Sequence, residues 1–315
     1  MNKFQFAVRA LIAALFLLAA NMIGQLAPGN TAFPAWSPDT SYDITAKRDL
    51  LALMMAYPEC IDGLEKESGG KIYVIMRSGE KILYDDRKQK TFEQKLYDAD
   101  LQDMMEQLYP LSDIVTLMEK DCDPGRIRDY EFLRAVYGST KSQIESSLKN
   151  VVLDSGNFPF NSGNGAAEAL TAAFKDISVL LKNHPNIYSF VYPVNGTYNY
   201  RVIAGTSLLS PHAFGIAVDL KSNVCDYWKW ATKEQGQSRL DAYPKELVKV
   251  LEAHYFIWGG KWCHFDFLHF EYRPELIIKA TYCMQDSAEA ANWYEGFPQT
   301  ELALRYISII DSALN

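Results

Sequence analysis

Two short segments constrain this chain more than any other: Ser210-Pro211-His212-Ala213-Phe214-Gly215-Ile216-Ala217-Val218-Asp219 and, about fifty residues later, Asp266-Phe267-Leu268-His269-Phe270-Glu271. Gly215 to Leu220 is an apolar run with a carboxylate near its end, which suits a buried strand. Strand parity then puts Gly215, Ala217 and Asp219 on one face. Leu268 to Tyr272 alternates in the same way, so His269 and Glu271 share a face. His212 falls off the first parity, and a turn or bulge must separate it from the strand if His212 and Asp219 are to face one metal. Pro211 fixes a backbone angle just before the histidine, and Gly215 lets the chain bend. Pro274 ends the second strand and opens a helix at Glu275.

Two imidazoles and a carboxylate are donor types that zinc accepts at a catalytic site, with a fourth position left for water. Asp266, three residues before His269, is the candidate acceptor for a proton from that water. Taken singly, either histidine reads as readily as a hydrogen-bonded core residue. The chain has only five histidines, however, and two of them fall in these frames. Non-haem iron sites also use two histidines and one acid, but with one residue between the first histidine and the acid, where positions 213 to 218 intervene here.

The pattern Ser-x-His-x-x-Gly-x-Ala-x-Asp followed by acid-x-x-His-Phe-Glu resembles the zinc D-alanyl-D-alanine carboxypeptidase family of VanY-type enzymes. Trp258-Gly259-Gly260-Lys261-Trp262 and the run from Asp266 to Leu276 are similar to the branch with Asp, rather than Glu, before the final histidine. The resemblance is dense over residues 195–280. It implies Zn2+ held by His212, Asp219 and His269, Asp266 as general base, and a peptidoglycan stem peptide as substrate. It also implies that Arg201 anchors a substrate carboxylate, which a guanidinium matches in bidentate geometry. The spacing of Arg201 departs from better-known members, and a surface arginine at a strand edge is the alternative. Ser210 and His264 join the candidate substrate-binding set. So does Glu271, as an acceptor orienting an imidazole or a substrate amine, against a solvated strand carboxylate. An L,D-carboxypeptidase or an endopeptidase needs only a different cleft, and a non-catalytic cell-wall-binding module that keeps the fold is the rival from another class.

A net charge of −8 gives no electrostatic reason to expect nucleic acid as a partner. Lys3 and Arg9, then the mainly apolar Ala10 to Gly24, have the shape of a secretory signal or a retained membrane anchor over residues 1–27. The expected location is therefore periplasmic or extracellular. Five cysteines without a Cys-x-x-Cys pair argue against a thiolate metal site. In an oxidising compartment some could pair, with connectivity open and at least one left over. Cys263 has no histidine base of its own and is not read as a nucleophile. Trp258, Trp262, Phe265 and Phe267 read as packing around the strand pair.

The expected fold is α+β: a small antiparallel sheet carrying the zinc site, surrounded by helices. After a linker at 28–42, residues 43–154 read as a mainly helical region with a β-hairpin around Ser78-Gly79, and 155–315 as the zinc peptidase core with C-terminal helices. Helices are expected over Ala46–Ala56 capped by Asp43, after a Thr91/Gln94 capping box, over Asp129–Tyr137, Lys141–Lys149, Ala166–Leu181, Lys245–Glu252 and Thr300–Leu314. A strand is expected to bear Arg201. Asp154 to Gly165, rich in Ser, Gly, Asn and Pro, reads as a boundary. Oligomeric state is left open.

Overall fold

Helix α1 (Tyr42–Ala56) opens the computed structural model, which describes residues 42–283 and 292–314. The signal or anchor expected over 1–27, and the linker at 28–42 apart from Tyr42, lie outside those residues. Asp43 falls inside the first turn of α1 rather than at its cap, a position where a carboxylate still favours the helix N-terminus. Strands β1 (Ile61–Lys66), β2 (Ile72–Met76) and β3 (Lys81–Leu83) follow as an antiparallel sheet in that order. The β2–β3 hairpin is the one expected. β1 is additional, and its polar sequence hides it.

The Thr91/Gln94 capping box forms as expected and starts α2 (Phe92–Tyr97), and a second box from Asp100 starts α3 (Leu101–Met105). Asp129 caps α4 (Tyr130–Tyr137), and Gly138, at φ 116°, ends it. α5 (Lys141–Ser146) stops three residues earlier than expected. Leu148 instead enters β4 (Leu148–Leu153), which pairs with β5 (Gly156–Asn161), so the Asp154–Gly165 stretch contains a turn and a strand. Pro159 is tolerated in β5 because this sheet has only two strands and leaves an edge without ladder bonds.

α6 (Ala166–Asn183), the single turn α7 (Tyr188–Val191) and the single turn α8 (Pro211–Phe214) lead to β6 (Ala217–Asp219). α9 (Lys233–Ala242), capped by a Thr232/Gln235 box, was not expected. Then come α10 (Lys245–Ala253), β7 (Phe256–Trp258), β8 (His269–Tyr272), α11 (Pro274–Tyr282) and α12 (Glu301–Leu314). The architecture is α+β, with helices around small antiparallel sheets.

The sheet that matters for function runs β6-β8-β7, antiparallel throughout. Its middle strand β8 is buried along its whole length, β7 lies under α10 and α11, and α1 packs on α11 and α12. Trp258, Trp262, Phe265 and Phe267 all lie in the core, as packing around the strand pair requires. Among the described residues, no helix is long and apolar enough to cross a membrane.

Candidate metal centre

Antiparallel register sets the site. β6 and β8 pair Asp219 with His269 and Ala217 with Glu271, and directly opposed residues project to the same face with their Cβ atoms about 5 Å apart. His212, off the strand parity, reaches that face because α8 is a single helical turn. Ser210 caps it by accepting from the His212 N–H at 3.3 Å, Pro211 sits at its first position, and Gly215 closes it at φ 70°. Asn161 at the end of β5 pins the turn: its side-chain amide donates to the Phe214 and Tyr137 carbonyls, and its N–H donates to the Gly215 carbonyl at 2.8 Å.

A Cβ on Gly215 would lie 2.8 Å from Leu148 Cδ2 and 3.2 Å from Asn161 N. Gly215→Ala therefore meets a left-handed backbone and a packed neighbour together, and should cost at least about 1–2 kcal/mol. A thermal or denaturant melt reads that cost directly; an unchanged midpoint would contradict it.

The His212 Nδ1–H donates to the Thr197 carbonyl at 2.5 Å, because a carbonyl can only accept. That fixes the tautomer and leaves Nε2 with its lone pair. His212 Nε2 then lies 3.2 Å from His269 Nδ1 and 3.2 Å from Asp219 Oδ1, and His269 Nδ1 lies 3.0 Å from the same Oδ1. Zinc takes such donors at about 2.0–2.2 Å in a tetrahedron, whose edge is about 3.3 Å. The three residues thus fit a divalent cation in both donor type and spacing, and they form a group that could hold one.

The electrostatics agree with that fit. Burial works against charge on His269, but the Asp219 and Glu271 carboxylates override it and lift the imidazole to about 10. The two carboxylates thus make this point of the cluster favourable for positive charge. Burial would raise Asp219, yet the two imidazoles hold it well below the ordinary carboxylate range.

Asp266 neighbours this triangle: the His269 N–H donates to the Asp266 carbonyl at 3.2 Å, and the charges of His269 and Asp219 reach its carboxyl. Burial pushes its carboxyl up to about 7, moderated by His269 and reinforced by Asp219 and Asp226. Its Oδ1 is buried and has no hydrogen-bond partner. An orphaned carboxylate oxygen beside the cluster is a group ready to accept a proton from a molecule bound there.

The substrate candidates fall into different surroundings. Arg201 is exposed and lies just before the loop that the Val202–Leu209 bridge closes, not on a strand as expected. Its carbonyl accepts from the Ser210 N–H at 3.0 Å, so it neighbours the α8 turn, and its charge reaches the Tyr227 hydroxyl. Ser210 is a buried cap. His264 pairs with Asp123 at 2.6 Å and packs against Phe92 and Trp228. His184 and His254 stand at the ends of α6 and α10.

Glu271 is not a solvated carboxylate. It is fully buried, bound through both oxygens by Arg128 at 2.9 and 2.5 Å, and 3.7 Å from His269 Nε2. Burial alone would raise it, but Arg128 holds it far below the usual range. The sequence reading missed Arg128, Thr197 and Arg126, whose charge reaches Asp266; two arginines within Gly125-Arg126-Ile127-Arg128 were the available signal. Arg128→Ala leaves a buried carboxylate short of its main partner and should cost about 3–5 kcal/mol. The check is a shift in the denaturation midpoint without a change in m, and a shift below 1 kcal/mol would show that Arg273, 3.4 Å from Glu271, suffices.

An α+β protein with two histidines and an aspartate converging on one point, and a buried acid beside them, is the class that fold and site define. Residues 204–272 match the family model described as D-alanyl-D-alanine carboxypeptidase. The match spans about a fifth of the chain and contains all three cluster residues and Asp266. It supports the family that the motifs resemble, and at that level a peptidase. No curated protein and no solved structure gives a significant match.

Proposed function

We propose that this chain is an exported zinc peptidase of peptidoglycan stem peptides, acting as a D-alanyl-D-alanine carboxypeptidase. The observation that carries the proposal is the 3.0–3.2 Å triangle of donor atoms with the buried Asp266 carboxyl beside it, one oxygen of which has no hydrogen-bond partner. The basic start and apolar run over 1–27 are the sequence support for export.

His212, Asp219 and His269 would hold the ion. When bound, zinc supplies a Lewis acid that polarises a peptide carbonyl and lowers the pKa of water to about 7. Thr197 keeps the His212 lone pair aimed inward, and Glu271, held by Arg128, stands beside the outer nitrogen of His269. Asp266 takes the proton of the attacking water on its carboxylate and delivers it to the leaving amine nitrogen.

Arg201 would bind the terminal carboxylate of the substrate. Losing a charge-assisted contact of about 1.5–3 kcal/mol, Arg201→Ala should raise KM for free-carboxylate peptides about tenfold or more, with a smaller change in kcat. Amidated peptides should not feel the substitution. Equal turnover of free-carboxylate peptides by both proteins would remove Arg201 from the site. The function itself is tested by incubating the zinc-loaded protein with a muramyl pentapeptide and following release of D-alanine by mass spectrometry. No release with zinc present, or full release in chelator, would overturn it.

A further inference from the structure

The segment Cys122–Arg126, far from the ligands in sequence, is stitched to the segment that carries Asp266. The Cys263 N–H donates to the Cys122 carbonyl at 2.8 Å, the His264 N–H donates to Asp123 Oδ1 at 2.9 Å, and the Trp262 indole N–H donates to the Pro124 carbonyl at 2.8 Å. A 2.8 Å backbone N–H···O=C bond leaves the two Cα atoms at most about 6.7 Å apart, because Cα lies about 1.5 Å from its own nitrogen and about 2.4 Å from its own carbonyl oxygen. A disulfide requires a Cα separation of about 4.4–6.8 Å. Both thiols are free in the structure and neither is fully buried. Among the described residues, no backbone hydrogen bond joins Cys60, Cys225 or Cys283 to another cysteine.

We propose that Cys122 and Cys263 close into a disulfide when the protein meets a thiol-oxidising disulfide, tying the Cys122–Arg126 segment to the backbone next to Asp266. One thiolate attacks the incoming disulfide and releases one of its sulfurs as a thiol; the second cysteine then attacks the mixed disulfide and releases the other. Two electrons and two protons leave the protein, one S–S bond forms, and the oxidant ends as two thiols. Burial and Asp123 raise the Cys122 thiol, and so does the Cys263 sulfur, which places the two within electrostatic reach of each other. Burial also raises Cys263. Exchange should therefore speed up at alkaline pH.

The inference does not depend on which peptide is cut. It assigns a task to the chain ahead of the 204–272 segment: covalent fixation of the stretch between Trp262 and Asp266. It also leaves Cys60, Cys225 and Cys283 as thiols.

The test is oxidation of the full chain with oxidised glutathione at alkaline pH, then thiol counting and peptide mapping without reductant. The expected count falls from five to three, and a cross-linked pair containing Cys122 and Cys263 appears. Cys122→Ser and Cys263→Ser should each keep four thiols under the same treatment. Reduction should lower the Tm of the oxidised wild type by about 5 °C or more, because the bridge closes a long loop, and should leave both variants unmoved. A count that stays at five, or a cross-link joining any other pair, would overturn the proposal. The map is read on the wild type, so a variant that failed to fold would not rescue it.

Discussion

Asp266→Asn is expected to reduce kcat by about 10²–10⁴-fold, the usual contribution of a positioned acid–base group, while the protein still binds one equivalent of zinc. Asparagine keeps the size of the side chain and removes its ability to take a proton. The three cluster residues do not include Asp266, so metal content should not fall. Burial holds the acid at about 7 in the metal-free protein. A bound cation nearby favours the charged form and pulls that value down. The acid limb of kcat/KM should therefore lie below about 7, with activity rising as pH increases through it, and should vanish in the residual activity of Asp266→Asn. D-alanine release, metal analysis and a pH profile on the same preparation decide the matter. Near-wild-type turnover by the variant would mean that the base is another group.

The second large effect is on the metal. His212→Ala removes a donor whose lone pair is aimed by the Thr197 carbonyl, and leaves Asp219 and His269 facing a gap. Changes to groups that merely support a ligand cost about 10–100-fold in metal affinity, and removal of a ligand should cost at least the upper end of that range. A ligand that binds only the folded state stabilises it by about 2.7 kcal/mol at a hundred times its Kd. Added zinc should thus raise the melting temperature of the wild type and leave His212→Ala unmoved, a readout that needs no substrate. If the variant gained as much as the wild type from zinc, His212 would not be a ligand. The metal could then bind and the peptidase reading still fail, because turnover is measured separately.

Local chemistry was legible in the sequence. The Thr91/Gln94 box, the helix expected over Asp129–Tyr137, the Ser78-Gly79 hairpin and the Pro274 helix start all rest on residues that act within a few positions, and each appears in the structure. Lys141–Lys149 was misread because its first six residues are helical and the switch to β4 at Leu148 depends on pairing with β5. Within the Ser-, Gly-, Asn- and Pro-rich Asp154–Gly165 stretch, Asn161 holds the turn that presents His212, a role its composition does not announce. Composition reports backbone freedom, not what the backbone will be paired with.

The site divides in the same way. The sequence by itself determined the donor types, their spacing, the strand parity of Asp219 and His269, and the need for a turn before Gly215. Only the tertiary structure decided that Asp219 stands opposite His269 in register, that Thr197 sets the His212 tautomer, and that Arg128 encloses Glu271. The physical reason is distance along the chain. Periodicity and capping are properties of neighbours, whereas a buried carboxylate finds its guanidinium, and a histidine its carbonyl, only after the chain has folded and water has been excluded.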